Sequence, residues 1–186
     1  MKVLLHTCCG PCAIFPVREL RVDGMTVTGF FYPHNIHPYT ECLKRQEALQ
    51  TFAGRVNLPL ICETGYDLEG FIRKVVHREE DRCTVCYQER LLASARVAKN
   101  GAFDCFTTTL LYSRFQKHGL IHQIGESIGR AVGVPFLYRD FRAGWREGVE
   151  ESKRQGLYRQ QYCGCIYSEK ERFLCSETSY TSSSSC

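Results

Sequence analysis

Positions 6–14 of the chain read His6-Thr7-Cys8-Cys9-Gly10-Pro11-Cys12-Ala13-Ile14. The short apolar run Val3-Leu4-Leu5 precedes this stretch, and apolar residues at helical spacing follow it. The pattern predicts that the three cysteines lie in the turn between a first strand and a first helix. Open α/β sheets bind ligands at such turns, and the partial positive charge of a helix N-terminus there favours anionic sulfur.

The rest of the chain alternates between strand-like and helix-like segments. Residues 26–32 are rich in β-branched and aromatic side chains and predict a second strand, which completes a right-handed βαβ unit with parallel strands. The further predicted elements are helix 41–54, strand 58–62, helix 68–76, a helix ending at Asn100, strand 103–111, helix 120–132, strand 135–138 and helix 145–155. This alternation predicts an α/β fold with a parallel sheet flanked by helices.

Length and composition predict a soluble, single-domain protein. The chain has 186 residues, of which 44% are apolar and 24% are charged. We expect one domain over residues 1–175 and a disordered, serine-rich tail over residues 176–186, which has little to bury. Because there is no run of about twenty apolar residues and no signal peptide, we expect no membrane contact and a cytoplasmic location. The net charge of +4 permits an RNA substrate without requiring one.

Twelve cysteines are many for such a chain. Because cytosolic thiols are kept reduced, metal binding or redox chemistry is favoured over structural disulfides. Seven cysteines cluster in the sequence, as Cys8, Cys9 and Cys12, as Cys83 and Cys86, and as Cys163 and Cys165. Four others stand alone in apolar patterns and are predicted to be small core residues, namely Cys42, Cys62, Cys105 and Cys175. Cys186 lies in the predicted tail.

The spacing of the clustered cysteines suits a shared metal site. In Cys83-x-x-Cys86, a single turn brings both sulfurs to the same side, within reach of one metal. Seven thiols exceed what one zinc ion needs, which favours an iron–sulfur cluster, with zinc alone and no metal as the alternatives. Cys163-Gly164-Cys165 suits a metal or a labile disulfide, or is a pair of buried thiols.

Three other groups of residues offer chemistry, and each has a plainer explanation. His34 and His37 flank a proline-bounded loop. One explanation is that they contact substrate or metal, and the other is that they are solvated loop residues. Thr107-Thr108-Thr109 either binds a phosphate or simply ends a strand. The acid and the arginine of Asp140-Phe141-Arg142 could bind a metal or a phosphate. The plainer explanation is a salt bridge between them at the surface. The residue types alone leave these alternatives open.

Six motifs are spread over residues 3 to about 168. They are His6 to Cys12, Asn35-Ile36-His37-Pro38, Arg82-Cys83-x-x-Cys86-Tyr87-x-x-Arg90-Leu91, Phe106-Thr107-Thr108-Thr109-Leu110, Asp140-Phe141-Arg142 and Leu157-Tyr158-Arg159-Gln160-x-Tyr162-Cys163-Gly164-Cys165. Together, and in this order, they resemble the QueH-type epoxyqueuosine reductases. One stretch departs from that family's pattern, because Ser113-Arg114-Phe115-Gln116-Lys117 stands where a Ser-Pro-x-Lys-like stretch is expected.

The resemblance implies an enzyme that acts at the last step of queuosine biosynthesis in tRNA. It would reduce the epoxide of epoxyqueuosine, at the anticodon wobble position, to the alkene of queuosine, with two electrons and two protons and the release of water. It also implies a HUP-like (Rossmann-like) sheet, a [4Fe-4S] cluster and an adjacent mononuclear metal ion, which we expect to be iron. We expect the modified tRNA and an electron donor such as a ferredoxin or flavodoxin as partners, and a monomeric protein.

The same resemblance suggests candidate residues for the site. For the cluster, Cys9, Cys83 and Cys86 are the expected ligands, with Cys8 or Cys12 completing the set. For the second metal, the expected ligands are Cys12, Cys163, Cys165 and Asp140, with Asp81 as the reserve carboxylate, so that a C-terminal cysteine-bearing segment closes the metal site. The catalytic candidates are Asp140, together with His37 and Tyr162 as proton donors. The basic residues available to tRNA phosphates are Lys44, Arg45, Arg139, Arg142, Arg146, Arg154 and Arg159.

Two functions from other classes compete with this interpretation. A tRNA sulfur-transfer enzyme of a related fold would carry a glycine- and serine-rich pyrophosphate loop after the first strand. Here thiols and Pro11, which has no N–H group, occupy that place. A zinc-stabilised nucleic-acid-binding module without catalysis is the second alternative, and it predicts a colourless protein that holds zinc and no iron or sulfide.

Overall fold

A computed structural model describes residues 1–181 of the chain, and the side chains of residues 1–174. Four parallel strands form one sheet in the order β3-β2-β1-β4. The strands are β1 Lys2–Thr7, β2 Thr26–Phe31, β3 Leu60–Cys62 and β4 Cys105–Thr108. The helices are α1 Gly10–Val22, α2 Tyr39–Arg55, α3 Leu68–Val75, α4 Arg82–Asn100, α5 His118–Val132, α6 Trp145–Arg154 and α7 Ile166–Thr181. Short 3₁₀ turns are formed by Glu79–Asp81, Thr109–Tyr112 and Arg142–Gly144.

Strand β1 is at the centre of the fold. Its apolar run Val3-Leu4-Leu5 is fully buried, as expected for a strand covered by helices on both faces of a parallel sheet. β1 pairs with β2 on one side and with β4 on the other, so the chain reverses its direction of travel across the sheet between β3 and β4. The carboxyl ends of β1 and β4 therefore border the topological switch point, where open α/β sheets bind their ligands.

The predicted parallel α/β fold is confirmed, with two local corrections to the strands. Strand 135–138 is wrong as a strand, because only one bridge forms there, between Phe106 and Phe136. Pro135 supplies no N–H group, which limits the pairing. Strand 103–111 is shorter than predicted, because the side chain of Thr108 accepts a hydrogen bond from the N–H of Leu110 and starts the 3₁₀ turn Thr109–Tyr112.

The structure defines two helix boundaries near the cysteine motifs. Helix α4 begins at Arg82, so Cys83 and Cys86 lie in its first turns. Helix α7, Ile166–Thr181, continues across the predicted start of the tail at position 176. The rest of the predicted tail, residues 182–186, lies outside the described residues. None of the helices within residues 1–181 is long and apolar enough to cross a membrane.

Helix α1 begins in close contact with helix α2. A Cβ atom added to Gly10 would lie 2.5 Å from the carbonyl oxygen of Ala48 and 2.9 Å from its carbonyl carbon. Those atoms belong to the backbone of α2, so they have little freedom to move away. Glycine at position 10 therefore allows the first turn of α1, with its cysteines, to lie directly against α2.

We predict that Gly10→Ala destabilises the protein, by about 1–3 kcal/mol, because the added methyl group overpacks this helix contact. Gly54→Ala is the matched control in α2, since a Cβ atom there would meet nothing within 4 Å, and alanine in an exposed helix position is expected to stabilise by about 0.5–1 kcal/mol. The free energy of unfolding in urea measures both effects. Equal stabilities for the two variants would contradict the close approach of α1 and α2.

Candidate metal centre

Three cysteine side chains meet at the start of α1, and we call them the first thiol group. The sulfur atoms of Cys8, Cys9 and Cys12 all lie within 4.8 Å of one another, and all three residues are buried. Cys9 is the extended residue that caps α1, and Cys12 lies in the first turn of the helix. The turn after β1 thus places three soft ligands at the switch point of the sheet.

The first thiol group favours one anionic sulfur. Hydrogen bonds from the thiols of Cys12 and Cys9, together with the nearby guanidinium groups of Arg45 and Arg90, hold the pKa of Cys8 well below its usual range. Burial raises the pKa of Cys9, and the hydrogen bond to Cys8 raises that of Cys12. A metal binding here would displace the remaining thiol protons, since only deprotonated sulfur is a strong ligand.

The end of β4 fixes the position of Cys8. The hydroxyl oxygen of Thr109 accepts a hydrogen bond from the backbone N–H of Cys8 at 3.3 Å, and the hydroxyl donates to Cys8 Sγ at 3.6 Å. Thr107, Thr108 and Thr109 are all fully buried. Thr107 and Thr108 thus end the strand, as the plainer of the two explanations has it, and Thr109 begins the 3₁₀ turn and supports Cys8.

A second thiol group comes from α4 and from the loop before α7. It consists of Cys83, Cys86, Cys163 and Cys165, which line one cavity of about 20 Å³. Cys163 is exposed, Cys165 is buried, and the two cysteines of α4 are half-buried. The structure therefore places the second and third sequence clusters around one cavity, and the division of the cysteines between two metals stays a prediction.

Arg90 lies between the two thiol groups. Its side chain is buried and donates hydrogen bonds to Cys86 Sγ at 3.2 Å, His6 Nε2 at 3.4 Å and the carbonyl of Asn35 at 3.0 Å. Within residues 1–174 it forms no ion pair with a carboxylate. A buried charge needs a compensating partner, so the surroundings of Arg90 favour thiolate sulfur or a metal site with net negative charge.

His6 is held in one tautomer by this network. A guanidinium group only donates, so His6 Nε2 accepts from Arg90, and the ring proton is on Nδ1, which lies 2.8 Å from Thr108 Oγ1. Burial, followed by the charge of Arg90, lowers the pKa of His6 to about 3. His6 is thus neutral and packed at the end of β1.

The prediction that Arg45 meets tRNA phosphates is wrong. This side chain is fully buried, and its Nε donates to Glu41 Oε1 at 2.7 Å. Its two terminal nitrogens donate to the carbonyls of Cys163 and Tyr162, each at 2.9 Å. Arg45 therefore fixes the C-terminal cysteine segment to α2 instead of binding an external anion.

A cavity of about 540 Å³ opens beside the thiols, and we call it the large cavity. Cys8, Cys12 and Cys163 line it, so both thiol groups reach the same space. Two lining amides contact the sulfurs, with Gln160 Nε2 at 3.0 Å from Cys12 Sγ and Gln116 Nε2 at 3.1 Å from Cys163 Sγ. The volume is in the range of pockets that bind small organic ligands.

The two predicted proton donors occupy different positions. Tyr162 lines the large cavity, and its hydroxyl donates a hydrogen bond to the carbonyl of His37 at 2.6 Å. His37 is fully buried, and its Nε2 is 3.0 Å from the carbonyl of His34. Burial lowers the pKa of His37 to about 4, so the ring is neutral. Of the two, Tyr162 is the residue that faces the large cavity.

The predicted carboxylate ligands lie apart from the first thiol group. Asp140 forms a two-oxygen pair with Arg142, with nitrogen–oxygen distances between 2.6 and 3.0 Å. The hydrogen bonds from Arg142 lower the pKa of Asp140 to about 2. Asp81 is exposed at the end of the 3₁₀ turn before α4. Among the described residues, the first thiol group is the sole set of three or more candidate ligands whose atoms all lie within 4.8 Å of one another, so no three sulfurs of the second thiol group meet this distance. The ligand roles of both aspartates stay predictions.

Sequence reasoning missed the contacts that Arg90 and Gln116 make with sulfur. Arg90 follows Cys86 by four residues in a helix, so the spacing alone indicates that the two side chains share one face. No comparable signal exists for Gln116, because its loop meets Cys163 only through the folding of distant segments. The lone cysteines Cys42 and Cys105 are buried and Cys62 is half-buried, as the core prediction requires.

Comparisons with known proteins bear on this site. The family model described as epoxyqueuosine reductase QueH matches residues 3–171. A protein named epoxyqueuosine reductase QueH from Dehalococcoides mccartyi is 34% identical over 172 residues, covering 92% of this chain and 94% of that protein. A protein of the same name from Thermotoga maritima is 36% identical over 184 residues, covering 91% of each.

Two solved structures share the fold at low sequence identity. A predicted subunit of tRNA methyltransferase from Methanocaldococcus jannaschii matches with a TM-score of 0.58 and 10% identity, over 96% of this chain and 88% of that one. The U34-tRNA thiolase NcsA from Methanococcus maripaludis, with its [4Fe-4S] cluster, matches with a TM-score of 0.59 and 13% identity, over 98% of this chain and 67% of that one. At such identities the likeness shows the fold alone.

We predict that Thr109→Val destabilises the metal-free protein by about 1–2 kcal/mol, because the buried N–H of Cys8 loses its acceptor. Thr107→Val is the matched control, since the Thr107 hydroxyl is equally buried and has no hydrogen-bond partner in the described part of the chain. That control should keep or raise the stability. Urea unfolding under reducing conditions compares the two, and an equal loss in both variants would contradict the role assigned to Thr109.

Proposed function

The chain belongs to the epoxyqueuosine reductase QueH family and is an oxidoreductase, and from this premise we propose how its residues carry out the reaction. The substrate is tRNA that carries epoxyqueuosine at the wobble position. Two electrons and two protons convert the epoxide to the alkene of queuosine, and the oxygen leaves as water. The observation that carries the proposal is the opening of both thiol groups into the large cavity.

The residues fit a thiolate-bound metal cofactor. Seven clustered cysteines supply soft ligands from three separate segments, and Arg90 supplies a buried positive charge without a carboxylate partner among the described residues. The space within the second thiol group, about 20 Å³, holds little more than one water molecule. The large cavity, which is lined by Cys8, Cys12 and Cys163, has a volume of about 540 Å³ and can accommodate a larger group.

Following the family resemblance, we propose that these thiols would hold the cofactors. The [4Fe-4S] cluster would be held by Cys9, Cys83 and Cys86 with Cys8 or Cys12, and the second metal, iron, by the cysteines that remain, including Cys163 and Cys165. When bound, these groups supply electrons one at a time and a Lewis acid that weakens a carbon–oxygen bond. Asp140 is the proposed carboxylate ligand, and it would have to exchange its pairing with Arg142 for the metal; Asp81 is the reserve.

The chain's own residues bind the substrate and supply protons. Gln116 and Gln160 orient the sulfurs of Cys163 and Cys12 by donating amide N–H groups. The orientation of Gln116 is fixed, because its amide oxygen accepts from the hydroxyl of Tyr87 at 2.7 Å. We assign the proton donor to Tyr162, which lines the cavity, and a positioning role to His37, whose carbonyl holds the tyrosine hydroxyl.

The basic residues divide into available and engaged ones. Arg139, Arg142 and Arg154 form ion pairs with acidic side chains, and Arg45 is buried. Arg146 and Arg159 are exposed and are therefore the better candidates for phosphate contacts. Lys44 is engaged in a cation–π contact with the ring of Tyr158. As further parts of the proposal, residues 1–175 form one metalloenzyme domain, which acts as a cytoplasmic monomer with a ferredoxin or flavodoxin as electron donor.

We predict that the anaerobically reconstituted protein is brown, contains iron and sulfide, and removes one oxygen atom from epoxyqueuosine in tRNA. Cys83→Ser should lose the visible absorbance of the cluster and the activity, because a neutral hydroxyl is a poor ligand for iron. Cys62→Ser is the matched control, since Cys62 is half-buried in β3 and belongs to neither thiol group. Metal analysis, absorbance and mass spectrometry of the nucleosides are the measurements.

Three outcomes would count against the proposal. A colourless protein that holds only zinc would support the nucleic-acid-binding module. An iron–sulfur protein that leaves epoxyqueuosine-containing tRNA unchanged in the presence of a chemical reductant would contradict the reaction. A Cys83→Ser variant that keeps both cluster and activity would contradict the ligand assignment while leaving the reaction intact.

A further inference from the structure

An exposed aromatic side chain stands at the rim of the large cavity. Phe115 is 77% exposed and lies in the loop that follows the 3₁₀ turn Thr109–Tyr112. Single exposed apolar residues are common in folded proteins. Phe115 differs from most of them in how it is supported and in what surrounds it.

Phe115 is the outermost ring in a series of aromatic contacts. Buried Tyr112 lies 5.2 Å from half-buried Trp145, and Trp145 contacts Phe115 edge-to-face at 5.8 Å and 82°. The loop is further held by a hydrogen bond from the N–H of Phe115 to Ser113 Oγ at 3.3 Å. Arg114 lies over the ring of Trp145, at 5.6 Å from the ring centroid. The Phe115 ring is thus supported by the core on one side and remains 77% exposed.

The position of Phe115 links it to the metal centre. The next residue, Gln116, donates a hydrogen bond to Cys163 Sγ in the second thiol group. Consecutive Cα atoms are about 3.8 Å apart. A base that lies on Phe115 is therefore close to Gln116, whose side chain contacts the proposed metal ligand Cys163. A flat group bound there would be next to whatever occupies the large cavity.

The charge around the cavity indicates a polyanion. Among the residues with described side chains, Glu171 is the one acidic residue that lines the cavity, and it is paired with Arg82. Arg159 and Arg172 line the same cavity and form no ion pair within residues 1–174. Aromatic platforms flanked by arginines are the usual way in which proteins bind unstacked bases of single-stranded nucleic acid.

We propose that Phe115, backed by Trp145, stacks on a nucleobase adjacent to the reacting nucleotide in the anticodon loop. The inference rests on the proposed function and adds a recognition site to it. One base is removed from the stack of the loop and lies on Phe115, which directs the neighbouring, modified nucleotide into the large cavity. Arg159, which lines the cavity, and Arg114, which lies over the Trp145 ring, would meet the connecting phosphates.

The test is the binding of unmodified anticodon stem-loop RNA to the anaerobically reconstituted protein, followed by fluorescence anisotropy. Phe115→Ala should weaken binding by about 5- to 100-fold, as expected for the loss of one base–aromatic stack, and Phe115→Tyr should retain the affinity. The salt dependence should keep its slope in Phe115→Ala, because stacking releases no counterions. Val22→Ala is the control and should bind normally, since Val22 is 76% exposed at the opposite end of α1.

Abasic substitutions in the RNA identify the stacked base. Removing the base on one side of the wobble position should weaken binding to the wild-type protein, and the loss should not add to that of Phe115→Ala, because both changes remove the same contact. Two abasic RNAs are compared, each of which lacks the base on one side of the wobble position. If the loss of affinity with each of them added to that of Phe115→Ala, or if Phe115→Ala bound with wild-type affinity, the proposal would be overturned. A change in oligomeric state without a change in RNA affinity would also overturn it, because that result would indicate a protein partner.

The assay separates this proposal from the proposed function. Binding of unmodified RNA requires no epoxide and no electron transfer, so a protein that stacks a base but does not reduce the epoxide would overturn only the reaction. A protein that reduces the epoxide with Phe115→Ala showing unchanged RNA affinity and unchanged KM would overturn only the stacking site. A wild-type protein that does not bind the RNA would overturn the stacking site, and the assay on epoxyqueuosine-containing tRNA would still decide the reaction.

Discussion

The buried charge of Arg90 is the constraint on which the rest of the site depends. Its guanidinium group has three protein acceptors, of which the sulfur of Cys86 is one, and it makes no carboxylate pair within the described chain. Removing such a group from water is costly unless negative charge lies nearby. Because both thiol groups contribute sulfur near Arg90, sulfur is the nearest source of that charge in the described chain. Thiolate-bound metal meets this requirement directly.

The C-terminal segment depends on a second buried arginine, which acts in a different way. Arg45 is neutralised by Glu41 one turn away, so its role is to donate hydrogen bonds to the carbonyls of Tyr162 and Cys163. These bonds hold an irregular segment against α2 and fix where Cys163 can lie. Both arginines lower the pKa of Cys8, and Arg45 in addition fixes the position of the segment that closes the site.

The sequence predicts the fold well where local patterns decide it. The buried run Val3-Leu4-Leu5 and the alternation of elements are sufficient for the parallel sheet, and one bridge at Phe136 replaces a predicted strand because Pro135 cannot donate. The site is less predictable. Cysteine spacing indicates which residues meet, but Arg45 has the same appearance in the sequence as any surface arginine, and its burial depends on α2 packing against a segment more than a hundred residues away. Contacts of that kind have no local signature.

The thiols at the start of α1 also explain where the rest of the substrate must bind. A helix N-terminus at a switch point ordinarily suits a phosphate, because its free N–H groups point outward. Here Pro11 lacks an N–H, Gly10 is pressed against Ala48, and the sulfurs occupy the space in front of the helix. If the proposed function holds, phosphates of the RNA would be met elsewhere, and Arg159 and Arg172, which line the large cavity, are candidates for that contact. On that proposal, metal binding at the sheet edge and nucleic-acid binding at the rim would both follow from the presence of thiols where a phosphate site is common in this type of sheet.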